Sequence, residues 1–257
     1  EIASICRKAA KAIVEGKKKS VTITERNVGE YLGVRKLLPE LIAKENEIGT
    51  VNGLAYTELG GEMLKIEVAI LDGTGKIEIT GSLGDVMQES AKIAVSLVRS
   101  LASEYDIPTD FYKTKDIHIH APQGAVPKDG PSAGVTITTA LVSALTGRPV
   151  RRDIAMTGEI SLRGNVLAIG GLKEKTMAAY TAGVKKVLIP KDNERNLDEI
   201  DPLARENLVF VPCQKISEVL KEALLPLPKA KEESLMAEKL PHISAKIETS
   251  NVSTVNL

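Results

Sequence analysis

The stretch Ser132–Leu145, drawn as a helix, is mostly apolar all the way round, and it constrains the fold more than any other part of the chain. A helix without a polar face must be enclosed. The stretch falls short of the roughly 20 residues that a membrane-crossing helix needs, so protein and not lipid must enclose it. Trp is absent and Phe occurs only twice. The surrounding core must therefore come from Val, Ile, Leu, Ala and Met.

The segments that could build this enclosure come in two styles. Thr50–Thr57, Met63–Leu71 and Lys76–Thr80 read as strands, joined by turns at Gly60-Gly61 and Asp72-Gly73-Thr74-Gly75. Gly73-Thr74-Gly75 is no dinucleotide fingerprint, because a strand follows it. A long helix then starts at Ser82, a good N-cap, with the core-facing stripe Leu83, Val86, Met87, Ala94, Leu97, Val98 and Leu101. After Pro108 the strands Asp116–His120, Asp153–Thr157, Lys186–Pro190 and Leu208–Cys213 alternate with helices. Those helices are the buried stretch, Leu172–Ala182, Asn193–Ile200 and Ile216–Leu225. Ile160–Ile169 reads as a hairpin turning at Gly164-Asn165. Antiparallel strands first and alternating units later predict a two-layer α+β domain over about 50–225.

The ends read differently. Residues 1–16 carry helical spacing in Ile2, Ile5, Cys6, Ala9, Ala12 and Ile13, and Lys17-Lys18-Lys19 suits the helix's C-terminal dipole. A second short helix is expected over Glu25–Leu32. So small a helical piece buries little alone, so residues 1–40 read as the remnant of a preceding domain. The chain starts at Glu1 and not at Met, which reads as a piece of a longer protein. After Pro228 a Lys/Glu/Ser-rich stretch without periodicity reads as a disordered tail.

Composition narrows the function. Formal net charge is zero and aromatics make up 3% of the 257 residues. That argues against a nucleic-acid module, which would present a basic face with exposed aromatics. It also gives no bulk attraction to an anionic membrane. Cys6 and Cys213 are too few for a paired-thiol metal site and fit a reducing compartment.

Ser132 lies in Pro127-Lys-Asp-Gly-Pro-Ser-Ala-Gly134. Gly130 gives the backbone freedom, and Pro131 suits a helix's first turn. Ser132 then stands at the mouth of the buried helix, where free amides could bind an oxyanion. The same serine can equally be read as a cap on that helix. As a nucleophile it would need a base. His118 and His120 alternate with Ile119 and share a strand face, so at most one could serve, and a zinc site there lacks further ligands. Lysine can serve when burial lowers its pKa. Gly170-Gly-Leu-Lys-Glu-Lys175 offers Lys173 and Lys175, and periodicity alone does not choose between them.

Taken in series, Pro127–Gly134, Met156-Thr-Gly-Glu-Ile160, Leu162-Arg-Gly164 and Gly170–Lys175 resemble the proteolytic domain of Lon proteases. The likeness runs from about residue 1 to 225 and includes Gly81-Ser-Leu-Gly84 and His118-Ile-His120. The serine's surroundings resemble the soluble bacterial branch. Carried over, the resemblance implies a serine endopeptidase with Ser132 as nucleophile and Lys175 as general base. Thr157 matches the threonine that orients the lysine. Asp129 matches a loop residue that can open or block the site, Glu159 and Arg163 match supporting positions, and the histidines match positions near the site that are not the base.

The resemblance further implies a two-layer α+β fold of the type named after a ribosomal protein's second domain. Residues 1–40 would close the small helical subdomain of an AAA+ ATPase, 41–228 would be the peptidase domain and 229–257 a tail without a counterpart. No cofactor is expected here, since no Walker-type motif occurs, while ATP and magnesium are expected on the ATPase part. The implied partners are unfolded or degron-bearing polypeptides and five further copies in a ring of six, in the cytoplasm.

Overall fold

The computed structural model describes residues 1–33, 41–57, 60–122 and 128–227. It divides into two compact units, Glu1–Leu41 and a larger one beginning at Ile42. The first unit holds helices α1 (Ile2–Val14) and α2 (Val28–Leu32). The expected tail, 229–257, lies outside the described residues.

The second unit is built on a mixed seven-stranded sheet. Its strands are β1 (Thr50–Thr57), β2 (Gly60–Asp72), β3 (Ile77–Thr80), β4 (Lys115–His120), β5 (Ile154–Met156), β8 (Lys186–Pro190) and β9 (Val209–Cys213). A separate two-stranded sheet pairs β6 (Glu159–Ile160) with β7 (Val166–Leu167). The large sheet runs in the order β3-β4-β2-β1-β5-β8-β9. β2 pairs antiparallel with both β1 and β4, whereas β1, β5, β8 and β9 run parallel to one another. The hairpin β1–β2 is thus the antiparallel centre, and the later strands β5, β8 and β9 extend the sheet in parallel, whereas β4 pairs antiparallel with β2 and parallel with β3.

The helices of this unit are α3 (Asp85–Leu101), α4 (Phe111–Thr114), α5 (Gly134–Thr146), α6 (Leu172–Ala182), α7 (Pro202–Asn207) and α8 (Ile216–Ala223). One core joins α3, α5 and α8 to Val51, Leu64, Ile66 and Leu188. A second joins α6 and α7 to Leu54, Met63, Val187 and Ile189. Successive strand residues alternate between these cores, so the two sets of helices lie on opposite faces of the sheet. The α+β expectation holds as a mixed sheet with helices. The expected two layers become three over the central strands, because β1, β2 and β8 are apolar on both faces.

Several expected elements change. Gly60 and Gly61 are not a turn but the start of β2, and residues 58–59 lie outside the described residues. Ser82 does not cap α3. It has φ +56°, and Gly84 is the N-cap. The expected helix Asn193–Ile200 is a 3-10 stretch over Lys191–Glu199. The sequence signals missed α4 and α7, although α7 has a clear start: Asp201 caps Leu203 N–H at 2.9 Å, and Pro202 is the first helical residue.

As expected, α5 is enclosed, with every residue from Gly134 to Ser143 buried. Two of its buried hydroxyls bond back to the helix's own carbonyls. Thr138 donates to Gly134 O at 2.8 Å and Thr139 to Val135 O at 2.9 Å. Thr136, fully buried, finds no hydrogen-bond partner among the described residues. Thr136→Val removes an unpaired hydroxyl at nearly constant shape and should stabilise the fold by about 1 kcal/mol. Thr138→Val, which loses a satisfied hydroxyl, should not. Urea unfolding midpoints at unchanged slope will distinguish the two.

Candidate active site

Ser132 sits just ahead of α5 and not inside it. Gly130, at φ +138°, leads into a 3-10 turn, Pro131–Ala133, that runs straight into the helix. That φ strongly favours glycine. Two backbone hydrogen bonds clasp the turn to the residues after β5. Gly158 N–H donates to Ser132 O at 2.9 Å, and Val135 N–H donates to Gly158 O at 3.1 Å. The clasp leaves no room for side chains: a Cβ at Gly158 would lie 2.7 Å from Val135 Cγ2, and one at Gly134 2.7 Å from Ile160 Cγ2. Ser132 is thereby held beside Thr157.

Lys175 reaches the same point from the other face of the sheet. β5 pairs with β1 only as far as Gly53↔Met156, whereas β1 continues to Thr57. The pair of hydroxyls lies just past the end of that pairing. Lys175 Nζ is 3.0 Å from Ser132 Oγ and 3.3 Å from Thr157 Oγ1. Lys175 is 3% exposed and Thr157 1%. Burial lowers the Lys175 pKa from its ordinary value to about 8, and no charged neighbour among the described residues contributes. Lys173, which periodicity left as an alternative, is exposed.

The other candidates fall into place around this pair. Asp129 Oδ1 accepts from Met87 N–H at 3.0 Å and from Gly130 N–H at 2.9 Å. It therefore caps α3 from a separate segment, the task the sequence suggested for Ser82. Gly84 makes space for it, since a Cβ there would sit 2.4 Å from Asp129 Cγ. Glu159 lies in β6 and Arg163 in the turn after it. Among the described residues neither side chain hydrogen-bonds to Ser132 or Lys175. His118 Nε2 and His120 Nδ1 both meet Thr80 Oγ1, at 2.9 and 2.7 Å, so the structure does not bring them to Ser132. Burial pushes the Cys213 thiol up to about 12, far from a nucleophilic state.

The expected supply of free amides at the helix mouth is smaller than the sequence suggested. Gly134 N–H already donates to Pro131 O, and Val135 N–H to Gly158 O. The Ser132 amide is the donor left on the turn among the described residues, because Pro131 has no N–H and the i→i+3 pattern of the 3-10 turn takes the Ala133 N–H back to Gly130 O. Sequence reasoning also missed Gly158, Gly61 and Asn193. A glycine within a strand pattern is the one signal that could have pointed to Gly61, as a site of close backbone approach.

Residues 22–226 match the family model described as the Lon protease (S16) C-terminal proteolytic domain. The chain is 57% identical over 225 residues to Lon protease of Vibrio parahaemolyticus, covering 87% of this chain. It is 53% identical over 228 residues to Lon protease of Brevibacillus choshinensis, covering 89% of this chain. To Lon protease 1 of Bacillus subtilis it is 53% identical over 225 residues, covering 88% of this chain. In each case the match spans 29% of the relative's own length. A serine in contact with a buried lysine that also meets a buried threonine, a family match over most of the chain and relatives above half identity lead to one assignment: the chain belongs to the family of Lon protease C-terminal proteolytic domains.

Proposed function

We propose that the chain is a serine endopeptidase domain in which Ser132 attacks the peptide carbonyl and Lys175 is its general base. The observation that carries this reading is the 3.0 Å contact between Ser132 Oγ and an amine whose pKa burial has lowered to about 8. A neutral amine has one lone pair. Thr157 Oγ1 accepts an N–H from Nζ, which turns that lone pair toward the Ser132 hydroxyl. As Oγ bonds to the carbonyl carbon, its proton passes to Nζ. The Ser132 amide is the turn's donor available to the oxygen that becomes negative. The ammonium then returns the proton to the leaving amine, leaving an acyl-serine. Water repeats the cycle: it gives its proton to Nζ, attacks the ester carbonyl and frees the acid, and Ser132 recovers the proton.

Asp129 fits this reading as the residue that sets the approach to Ser132 through its hold on α3, and Glu159 and Arg163 remain supporting positions carried by the resemblance. The domain limits 1–40, 41–228 and 229–257, and the fold type named after a ribosomal protein's second domain, belong to the same proposal. So does the wider setting: an ATP- and magnesium-dependent ATPase part elsewhere in a longer protein, polypeptide substrates, a ring of six and a cytoplasmic location. Among the described residues, no helix is long and apolar enough to cross a membrane.

A peptide boronate should form its adduct on Ser132, located by mass spectrometry of the digested protein. Ser132→Ala should abolish both the adduct and hydrolysis of a short fluorogenic peptide, with little change in melting temperature. Residual turnover within about tenfold of wild type, only ~1.4 kcal/mol of barrier, would sink the assignment. His118→Gln should retain most of the activity.

For wild type, kcat/KM should rise with pH through about 8 as Lys175 loses its proton. Lys175→Arg should be inactive throughout, because guanidinium stays protonated. The contribution of Lys175 to stability has the same sign, rising with pH. A lysine whose folded pKa is depressed costs nothing above its unfolded value of about 10.4. The penalty grows as pH falls between that value and about 8, and is complete below it. Lys175→Met should therefore be more stable than wild type by roughly 1–3 kcal/mol at pH 7. The gap should narrow as pH is raised toward 10, which denaturant titrations at several pH values will measure.

A further inference from the structure

Lys175 must satisfy two oxygens that belong to other elements, Ser132 Oγ ahead of α5 and Thr157 Oγ1 after β5. The depth at which the first turn of α6 rests on the sheet therefore decides whether both are reached. Two contacts fix that depth, and neither touches the reacting atoms.

The first is beneath the turn. A Cβ on Gly61, in β2, would fall 2.0 Å from Glu174 O, 2.4 Å from Glu174 C and 2.9 Å from Lys175 N. The backbone of β2 thus lies directly against the backbone that carries Lys175. The second contact is ahead of the turn. Asn193, 3% exposed, accepts from Ile169 N–H through Oδ1 and donates to Ile169 O through Nδ2, both at 2.9 Å. Its carboxamide takes both backbone groups of Ile169, as the peptide of a neighbouring strand would. Nδ2 also donates to Asn196 Oδ1 at 3.0 Å, which fixes the orientation of the amide. From Ile169 the chain passes through Gly170 and the left-handed Gly171, φ +69°, directly into α6. Lys175 N–H then donates to Gly171 O at 3.1 Å. The six-residue path from Asn193's clamp to the lysine has no slack in it: one end is bound at Ile169, the other is pressed on Gly61.

We propose that Gly61 and Asn193 are positioning residues for Lys175, together holding the first turn of α6 at the depth from which Nζ reaches Ser132 and Thr157 at once. This rests on the reading of Lys175 as the base. A Cβ at Gly61 must lift the turn, because real Cβ atoms do not approach backbone oxygen to 2.0 Å. Loss of the Asn193 amide frees Ile169 and lets the lead-in segment shift. In either case the amine moves away from its two oxygens and toward water, so that its protonated form becomes easier to keep.

The test compares wild type, Gly61→Ala, Asn193→Ala and Gly75→Ala on a short fluorogenic peptide from neutral to alkaline pH. Gly75 is a control for stability alone. It lies in the β2–β3 turn at φ +94°, where a Cβ would sit 2.1 Å from Tyr112 O. Gly61→Ala and Asn193→Ala should lower kcat by roughly 10- to 100-fold, the scale of a 1 Å misplacement. KM should stay within about twofold, since substrate contacts are untouched. The midpoint of their pH–rate profiles should move up toward that of a free lysine. Gly75→Ala should lower the melting temperature and leave the midpoint where wild type has it. The proposal is overturned if the two site variants keep the wild-type kcat and midpoint, or if Gly75→Ala shifts the midpoint as they do. Should Gly61→Ala not fold, Asn193→Ala decides alone, since it introduces no backbone clash. Wild type separates the two levels: a boronate adduct away from Ser132, or no rise in rate near pH 8, would fault the dyad itself and not its positioning.

Discussion

An amine kept from water, with two hydroxyls for company and no carboxylate beside it among the described residues, is an unfavourable object for a protein to hold. The site consists of what is needed to hold it there. A carboxylate within reach would relieve the penalty by raising the lysine pKa, and would also keep the proton on the nitrogen. Thr157 gives an oxygen without a charge. Burial to 3% exposure supplies the shift by itself. The penalty is met by the rest of the domain, whose two cores close over both faces of the central strands.

The geometry depends on where strand pairing stops. β1 and β2 form a long antiparallel pair from Thr50↔Glu67 to Thr57↔Gly60, but β1 and β5 part after Gly53↔Met156. Beyond that point the backbone groups of Gly158 are free to clasp the serine's turn instead of a strand. Hydrogen bonding that would otherwise continue the sheet is redirected to hold the turn that carries Ser132. The glycines at 134 and 158 make this close approach possible, because the spaces their side chains would fill are occupied by Ile160, Val135 and Val166.

Much of this could be read from the residues. Strand β1 occupies Thr50–Thr57, α6 occupies Leu172–Ala182 and β8 occupies Lys186–Pro190, as their periodicity and bounding glycines and prolines indicated. The enclosure of α5 followed from its apolar surface alone. What periodicity could not supply was the choice between Lys173 and Lys175, because a helix with a weak apolar stripe does not reveal which face is covered until the sheet is placed beneath it. Ser82 misled for a related reason. A serine before an apolar run is good capping chemistry, but the cap comes from Asp129, 42 positions from Met87. The close approach of Gly61 to α6, and the grip of Asn193 on Ile169, are likewise made between segments distant in sequence, where local pattern is silent.

Under the proposed mechanism, the origin of Ser132 and Lys175 in layers that pack against opposite faces of one sheet bears on a hazard special to proteases, the cleavage of their own unfinished chains. Ser132 leads into the helix of one layer, and Lys175 belongs to the helix of the other. Neither layer can bring the two together without the strands between them. A chain that has formed one core and not the second carries a serine without a base, and a lysine still in water keeps its proton. Completion of the sheet is in effect the maturation step. Under the proposed mechanism, reactivity is a property of the finished three-layer stack, since neither layer alone holds both side chains.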